Sequence, residues 1–244
     1  MDIELLNFTE EEECQIIRSR EKYFVVQALS EEIVFLQSFL KQQERQIQDY
    51  CDNFEKYVEE VEAEREHWDG YNEPEIVVFT ERHVDGILES EFDIKGVFTE
   101  VLPVYQRQSM LVTLWSRFEA KVKDVVLFLH EERSTKIRKK PKDSSILRHL
   151  LTELSSFGLD FSDKKLQEAI SFLDDEARFV RNCWVHDGGL PTKHQIGKII
   201  ERSSSLSITD RLIDVSNSYL HEVAGSMSLL ASYVYHEIGI KRRC

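Results

Sequence analysis

Residues that break helices are scarce in this chain: 244 residues hold only four prolines and nine glycines. Leu, Glu, Lys, Gln and Arg, which lose little on entering a helix, are abundant, so composition favours helix over sheet. Cysteine is scarce too. Cys14, Cys51, Cys183 and Cys244 lie far apart with no C-x-x-C pair, which argues against a zinc site and against a disulfide framework in a chain this large. No metal and no cofactor is expected. The opening "MDIELLNFTEEEE" is acidic where a secretory signal would be basic, and no apolar run reads as long enough to cross a bilayer. A soluble, reduced, cytoplasmic protein is the expectation. Basic residues run short in one half only. The formal charge is −14, with 9 Lys/Arg against 27 Asp/Glu in residues 1–100 and 22 against 18 in residues 101–244. The acidic half would repel a polyanion, so any contact with nucleic acid is assigned to the second half.

What is present is mainly helical periodicity. Thr9 followed by Glu12 is a capping box, placing a helix start near residue 10. Ser30 with Glu31 and Glu32 either opens a second helix or lies inside the first. From Ile33 the apolar positions fall at Leu36, Leu40, Ile47, Tyr50, Phe54, Tyr57 and Val61, which with Gln43 at the one polar position make steps of three and four and predict one long helical stripe. Residues 1–70 are therefore expected to form an acidic helical hairpin, or a long arm against a partner. "HWDGYNEPE" at 67–75 breaks the helix by composition. Ile76–Thr80 has the β-branched content of a short strand, but a lone strand does not fit this setting, so residues 71–100 are read as a linker with a short helix.

Residues 101–244 are expected to be a helical domain. Pro103 suits a first turn, and Leu111, Leu114, Trp115, Phe118, Val122, Val125 and Leu129 predict one apolar face. "RSTKIRKKPKD" at 133–143 is a basic loop whose Lys136, Arg138, Lys139, Lys140 and Lys142 could track phosphates or simply be solvated. Ser144 or Ser145 starts a helix ending near Gly158, Ser162 or Asp163 caps the next, and Gly188 stops the one after. "SSLSITDRLIDVS" at 204–216 alternates as a small β-hairpin would. A final helix is expected from about Ser216 to Ile238, with a basic tail "KRRC".

The stretch "FVRNCWVHDGGLP", 179–191, sets Arg181, Asn182 and His186 at the end of a helix. Asn182 and His186 are four apart and share a face; Arg181 and His186 are five apart, about 140° around a helix, and do not. Cys183, Trp184 and Val185 are expected to pack inward, and Asp187-Gly188-Gly189 would leave His186 exposed. The bland reading is a histidine favoured by the helix dipole and an arginine in a surface ion pair. The functional reading is a phosphate-handling set. Histidine can take or give a proton near neutral pH, and arginine offers a planar fork matched to a charged phosphate.

"RNCWVHDGG" closing a helix resembles the signature of HEPN domains, R-x4–6-H with a polar residue after the arginine. The preceding long helix with an aromatic–acidic pair, Phe118–Glu119, the basic interhelical region and the terminal helix are similar too. The resemblance covers roughly residues 100–240. It implies an all-α, HEPN-like helical bundle that forms a homodimer, with two copies of Arg181, Asn182 and His186 across one cleft. Catalytic members are metal-independent endoribonucleases of bacterial toxin–antitoxin or phage-defence systems, and an antitoxin or defence-complex protein is the implied partner. Some such toxins are controlled through a tyrosine two places after the histidine; Gly188 stands there, which puts that control in doubt. In such an enzyme the RNA 2′-hydroxyl attacks the adjacent phosphate, Arg181 steadies the charge, Asn182 orients, and Lys193, His194, Lys198 and Arg202 would line the RNA path. Two rival expectations stand beside it: a non-catalytic HEPN-like module that binds nucleotide or RNA or scaffolds a complex, and a helical interaction protein.

Overall fold

The structure, a computed structural model, describes residues 10–68, 70, 75–192 and 194–240. It is mostly helical with two small antiparallel sheets. The described residues fall into two compact units: one takes those up to Leu40 and from Gln108 onward, the other is Lys41–Arg107. This division departs from the expected arm, linker and helical domain at 1–70, 71–100 and 101–244.

Helix α1 runs without a break over Glu10–Asp52. The expected helical hairpin is therefore absent, because Ser30 and its two glutamates sit inside the helix instead of opening a second one. Val26, Leu29, Ile33, Leu36 and Leu40 are buried in the first unit, extending the three-and-four spacing toward the amino terminus. Tyr23–Asp52 is also long and apolar enough, by length and composition alone, to cross a membrane. That corrects the reading of no spanning-length apolar stretch, although a core helix with one buried stripe passes the same test.

In the second unit the apolar spacing outlives the helix. Asn53 leaves helical geometry and its side-chain amide donates to Asp49, which also accepts the Tyr57 hydroxyl. Phe54 then sits in a 3-10 turn, Phe54–Lys56, and packs with Val84, Ile94 and Phe98, while Tyr57 lies 4.2 Å from the Tyr50 ring. These residues face one small core from several elements, so their spacing mimics a continuing helix. Strands β1 (Glu59–His67) and β2 (Glu75–Val84) pair antiparallel from Glu59↔His83 to His67↔Glu75, and β2 turns through Asp85-Gly86 into β3 (Ile87–Leu88). The three-stranded sheet thus takes β1 from the expected arm and β2 and β3 from the supposed linker. Asp85 and Gly86 both have positive φ, at 50° and 81°, the two-residue turn that Asp-Gly favours between paired strands. The expected short helix does appear, as α2 (Ile94–Gly96), capped by Asp93 and continued by a π-helical segment, Val97–Val101.

Helix α3 (Leu102–Glu132) provides the central face of the first unit, with Leu111, Leu114, Trp115, Phe118, Val122, Val125 and Leu129 all buried as expected. Helix α4 (Ile146–Ser156) is capped by Ser145, and α5 (Lys164–Ser171) by Asp163, whose carboxylate accepts from Lys165 and Leu166. A π-helical segment, Phe172–Ala177, leads into α6 (Arg178–Asp187), which ends at Gly188 in the left-handed region. Helix α7 (His194–Arg202), the hairpin β4 (Leu206–Thr209) and β5 (Leu212–Val215), and α8 (Asn217–Val234) complete the unit. The hairpin matches the expected one, with Asp210 and Arg211 at its positive-φ turn. The basic tail at 241–244 lies outside the described residues.

If α1 belongs to the core of the first unit, truncating it inside and outside its stripe should differ sharply. Leu29→Ala, at a fully buried position, is expected to cost about 2–5 kcal/mol. Phe35→Ala, at a position 68% exposed, should stay within about 0.5 kcal/mol of the parent. Urea denaturation followed by circular dichroism checks both.

Candidate functional site

The polar region around α6 begins with Asp174, a carboxylate only 2% exposed in the π-helical turn before the helix. Its partners come from two helices. The Arg148 Nε of α4 donates to it, Arg178 Nε of α6 donates at 3.0 Å, and the Ser145 hydroxyl that caps α4 also bonds it. The second Arg148 nitrogen, Nη2, reaches Asp175 at 2.9 Å. Burial alone would raise the Asp174 pKa, but Ser145, Arg148 and Arg178 together hold it below the usual aspartate value. Arg178 also lies over the Phe179 ring at 4.3 Å. Sequence reasoning overlooked Asp174, Arg148 and Arg178. The Asp174–Arg178 spacing of four was the available signal.

Arg181, one turn on, is half-buried. Its Nη1 donates to the Asn182 side-chain oxygen at 2.9 Å, while its Nε is buried with no hydrogen-bond partner. Across from it on α3 stands Glu119, hydrogen-bonded to Trp115. Burial raises the Glu119 pKa, and the nearby Arg181 and Arg178 charges pull it back only in part. The aromatic–acidic pair on α3 is therefore divided: Phe118 is core, and Glu119 lies within the electrostatic reach of the two arginines.

His186 is exposed at the last turn of α6. Among the described residues no hydrogen bond or ion pair joins it to Arg181 or Asn182. The structure thus joins Arg181 and Asn182 by a hydrogen bond and leaves His186 outside it. Cys183 is buried and Trp184 half-buried, whereas Val185 is 45% exposed, against the expectation that it packs inward; it lies off the Leu173–Ala177–Val180 face. The exit from α6 is tightly fixed. Trp184 Nε1 donates to the Ile213 carbonyl at 3.1 Å, and the Ile213 amide donates to the Gly189 carbonyl at 3.0 Å. A side chain at Gly189, φ 82°, would meet the Trp184 ring at 2.6 Å. The hairpin β4–β5 therefore positions the turn that presents His186.

The basic loop is less free than its composition suggests. Arg138 Nε donates to Glu153, a carboxylate 1% exposed that His130 Nε2 also contacts, both at 2.8 Å. Lys140 is turned onto backbone carbonyls of Pro141 and Ser144. Arg138 and Lys140 are thus committed to holding the loop, while Lys136, Lys139 and Lys142 are exposed. On α7, His194, Lys198 and Arg202 recur every fourth residue along the exposed face, opposite buried Ile196 and Ile199. Lys193 lies outside the described residues. Among the described residues no three His, Cys, Asp or Glu side chains gather as metal ligands would. No family model matches the chain, and neither a curated protein nor a solved structure matches it significantly.

Two carboxylates held below their ordinary values, Asp174 and Glu153, fix the sign of the acid response. Unfolded Asp and Glu titrate near about 3.9 and 4.3, so their stabilisation is complete above those values and is lost as pH falls through the lower folded ones. Chemical denaturation is expected to show stability independent of these groups from about pH 5 upward and falling below about pH 4. Asp174→Asn should cost about 2–3 kcal/mol at pH 7, less than a fully buried pair because Arg148 is 47% exposed, and should flatten the acid limb.

Proposed function

We propose that the protein is a HEPN-like, metal-independent endoribonuclease of a bacterial toxin–antitoxin or phage-defence system, working in the cytoplasm as a homodimer. The observation that carries this reading is the half-buried Arg181, whose Nε has no partner, on the same short helix as an exposed histidine. A buried, unpaired guanidinium N–H is costly unless an anion or water completes it. A phosphate oxygen of RNA supplies that acceptor.

The helix itself argues for two copies. On an ideal helix Arg181 and His186 are about 7.5 Å apart along the axis and about 140° apart around it, so their backbones set them on different faces. A histidine from a second copy would complete the site and would also provide the separate acid and base that transesterification requires. His194, Lys198 and Arg202 form a basic stripe following the motif and would hold flanking phosphates. Lys136 and Lys139 add exposed charge, and an antitoxin or defence-complex protein is the regulatory partner.

A non-catalytic RNA- or nucleotide-binding role has one observation in its favour: among the described residues Arg181 is bonded to Asn182 and not to His186. The test separates the two. Full-length protein, kept whole because α1 supplies core, is incubated with total RNA in excess chelator. Cleavage is expected to fall by about 10²–10⁴-fold in His186→Ala, the usual contribution of an acid–base group, and comparably in Arg181→Ala, with DNA untouched. Mixing these two inactive variants should restore part of the activity if the site is composite. Binding without product at any concentration would favour the non-catalytic role.

A further inference from the structure

The second unit presents a ribbon that its own core leaves uncovered. Over β1, Glu59–His67, only Ala63 is even partly covered, and over Glu75–Thr80 of β2 only Phe79 is. Ile76 and Val78 are 66% and 58% exposed. A two-stranded ribbon is marginal on its own, and an exposed apolar strand with an open edge is a template for another strand. That edge exists: among the described residues the strand order β1-β2-β3 leaves one side of β1 unpaired along its length.

Opposed residues share a face of the sheet. The register therefore puts Glu60, Glu62, Glu64 and Glu66 on one face, beside Arg82, Thr80, Val78 and Ile76 of β2. The other face carries Glu59, Val61, Ala63, Arg65 and His67, opposite His83, Glu81, Phe79, Val77 and Glu75, so its apolar centre is Val61, Ala63, Phe79 and Val77. Along the strand the four carboxylates recur about every 7 Å. Among the described residues none of the four takes part in an ion pair. A strand added to this edge would alternate in the same way, setting one set of side chains against the glutamates and the next against Val61 and Ala63.

We propose that the free edge of β1 docks an extended segment of another protein that carries Lys or Arg at every second position and apolar residues between them. The segment adds to the sheet as a further strand through backbone hydrogen bonds, and the charge alternation fixes its register. The glutamates decide the occupant. They repel the phosphates of RNA and equally repel β1 of a second copy, whereas a cationic strand relieves their mutual repulsion.

The test uses the full chain and a nine-residue end-blocked peptide of alternating Lys and Val. Isothermal titration is expected to give binding that weakens at least tenfold when Glu60, Glu62, Glu64 and Glu66 are replaced together by Gln. The peptide should also slow amide hydrogen exchange within residues 59–67. Two controls can overturn the proposal. A peptide of equal charge with prolines in place of its valines cannot extend the sheet, and equal affinity for it would reduce the effect to bulk attraction. An equal loss on replacing Glu10–Glu13 by Gln, or unchanged exchange at 59–67, would move the binding away from this edge. Circular dichroism of the Gln variant verifies that a loss of affinity is not a loss of fold.

Discussion

The arrangement around α6 depends on one buried carboxylate. Asp174 accepts from Arg148 on α4, from Arg178 one turn along its own helical run, and from the hydroxyl that caps α4. A lone buried charge would be strongly unfavourable, but here its oxygens are satisfied by groups that are also needed elsewhere. Ser145 begins α4 with its oxygen while its proton serves Asp174. Because the turn Phe172–Ala177 is π-helical, the register of α6 relative to α5 shifts there. The orientation of Arg181, one turn further on, inherits that constraint.

Most of the first unit was legible in the sequence because each helix reports itself locally. The α3 face, the Ser145 and Asp163 caps and the Gly188 stop all rest on neighbouring residues, where propensity and capping chemistry act alike. The second unit was not legible for the opposite reason. "EEVEAEREH" has helix-favouring glutamates throughout, and only pairing with the β-branched "IVVF" makes it a strand. The Asp-Gly pair at 85–86 was the overlooked signal, since it is the strongest short-range mark of a hairpin. Phe54 and Tyr57 misled in a subtler way, keeping helical spacing while leaving the helix.

At the motif the sequence named the residue types but not their division of labour. That Arg181 and His186 point apart follows from five residues on an α-helix. That the Arg181 charge acts on Glu119 does not, because Glu119 lies 62 positions earlier and only the fold brings the two within electrostatic range. The same holds for the basic loop: composition shows five cations, and only the fold shows that Arg138 answers a buried Glu153 and that Lys140 caps carbonyls. Counting charge therefore overstates what is available to a polyanion.

This selection among charges sharpens the asymmetry of the chain. The cations that remain exposed on α7 lie in the unit that carries the Arg–Asn–His set, and the unpaired carboxylates of β1 lie in the other unit. Unlike isolated surface ion pairs, which contribute little, regularly spaced charges of one sign act together, and their collective field decides which partners approach. The four-residue period of His194, Lys198 and Arg202 suits a helix face against a phosphate backbone, while the two-residue period of Glu60 to Glu66 suits a paired strand. The two periods therefore belong to different secondary structures in different units, and each displays its charges at the spacing its own backbone sets.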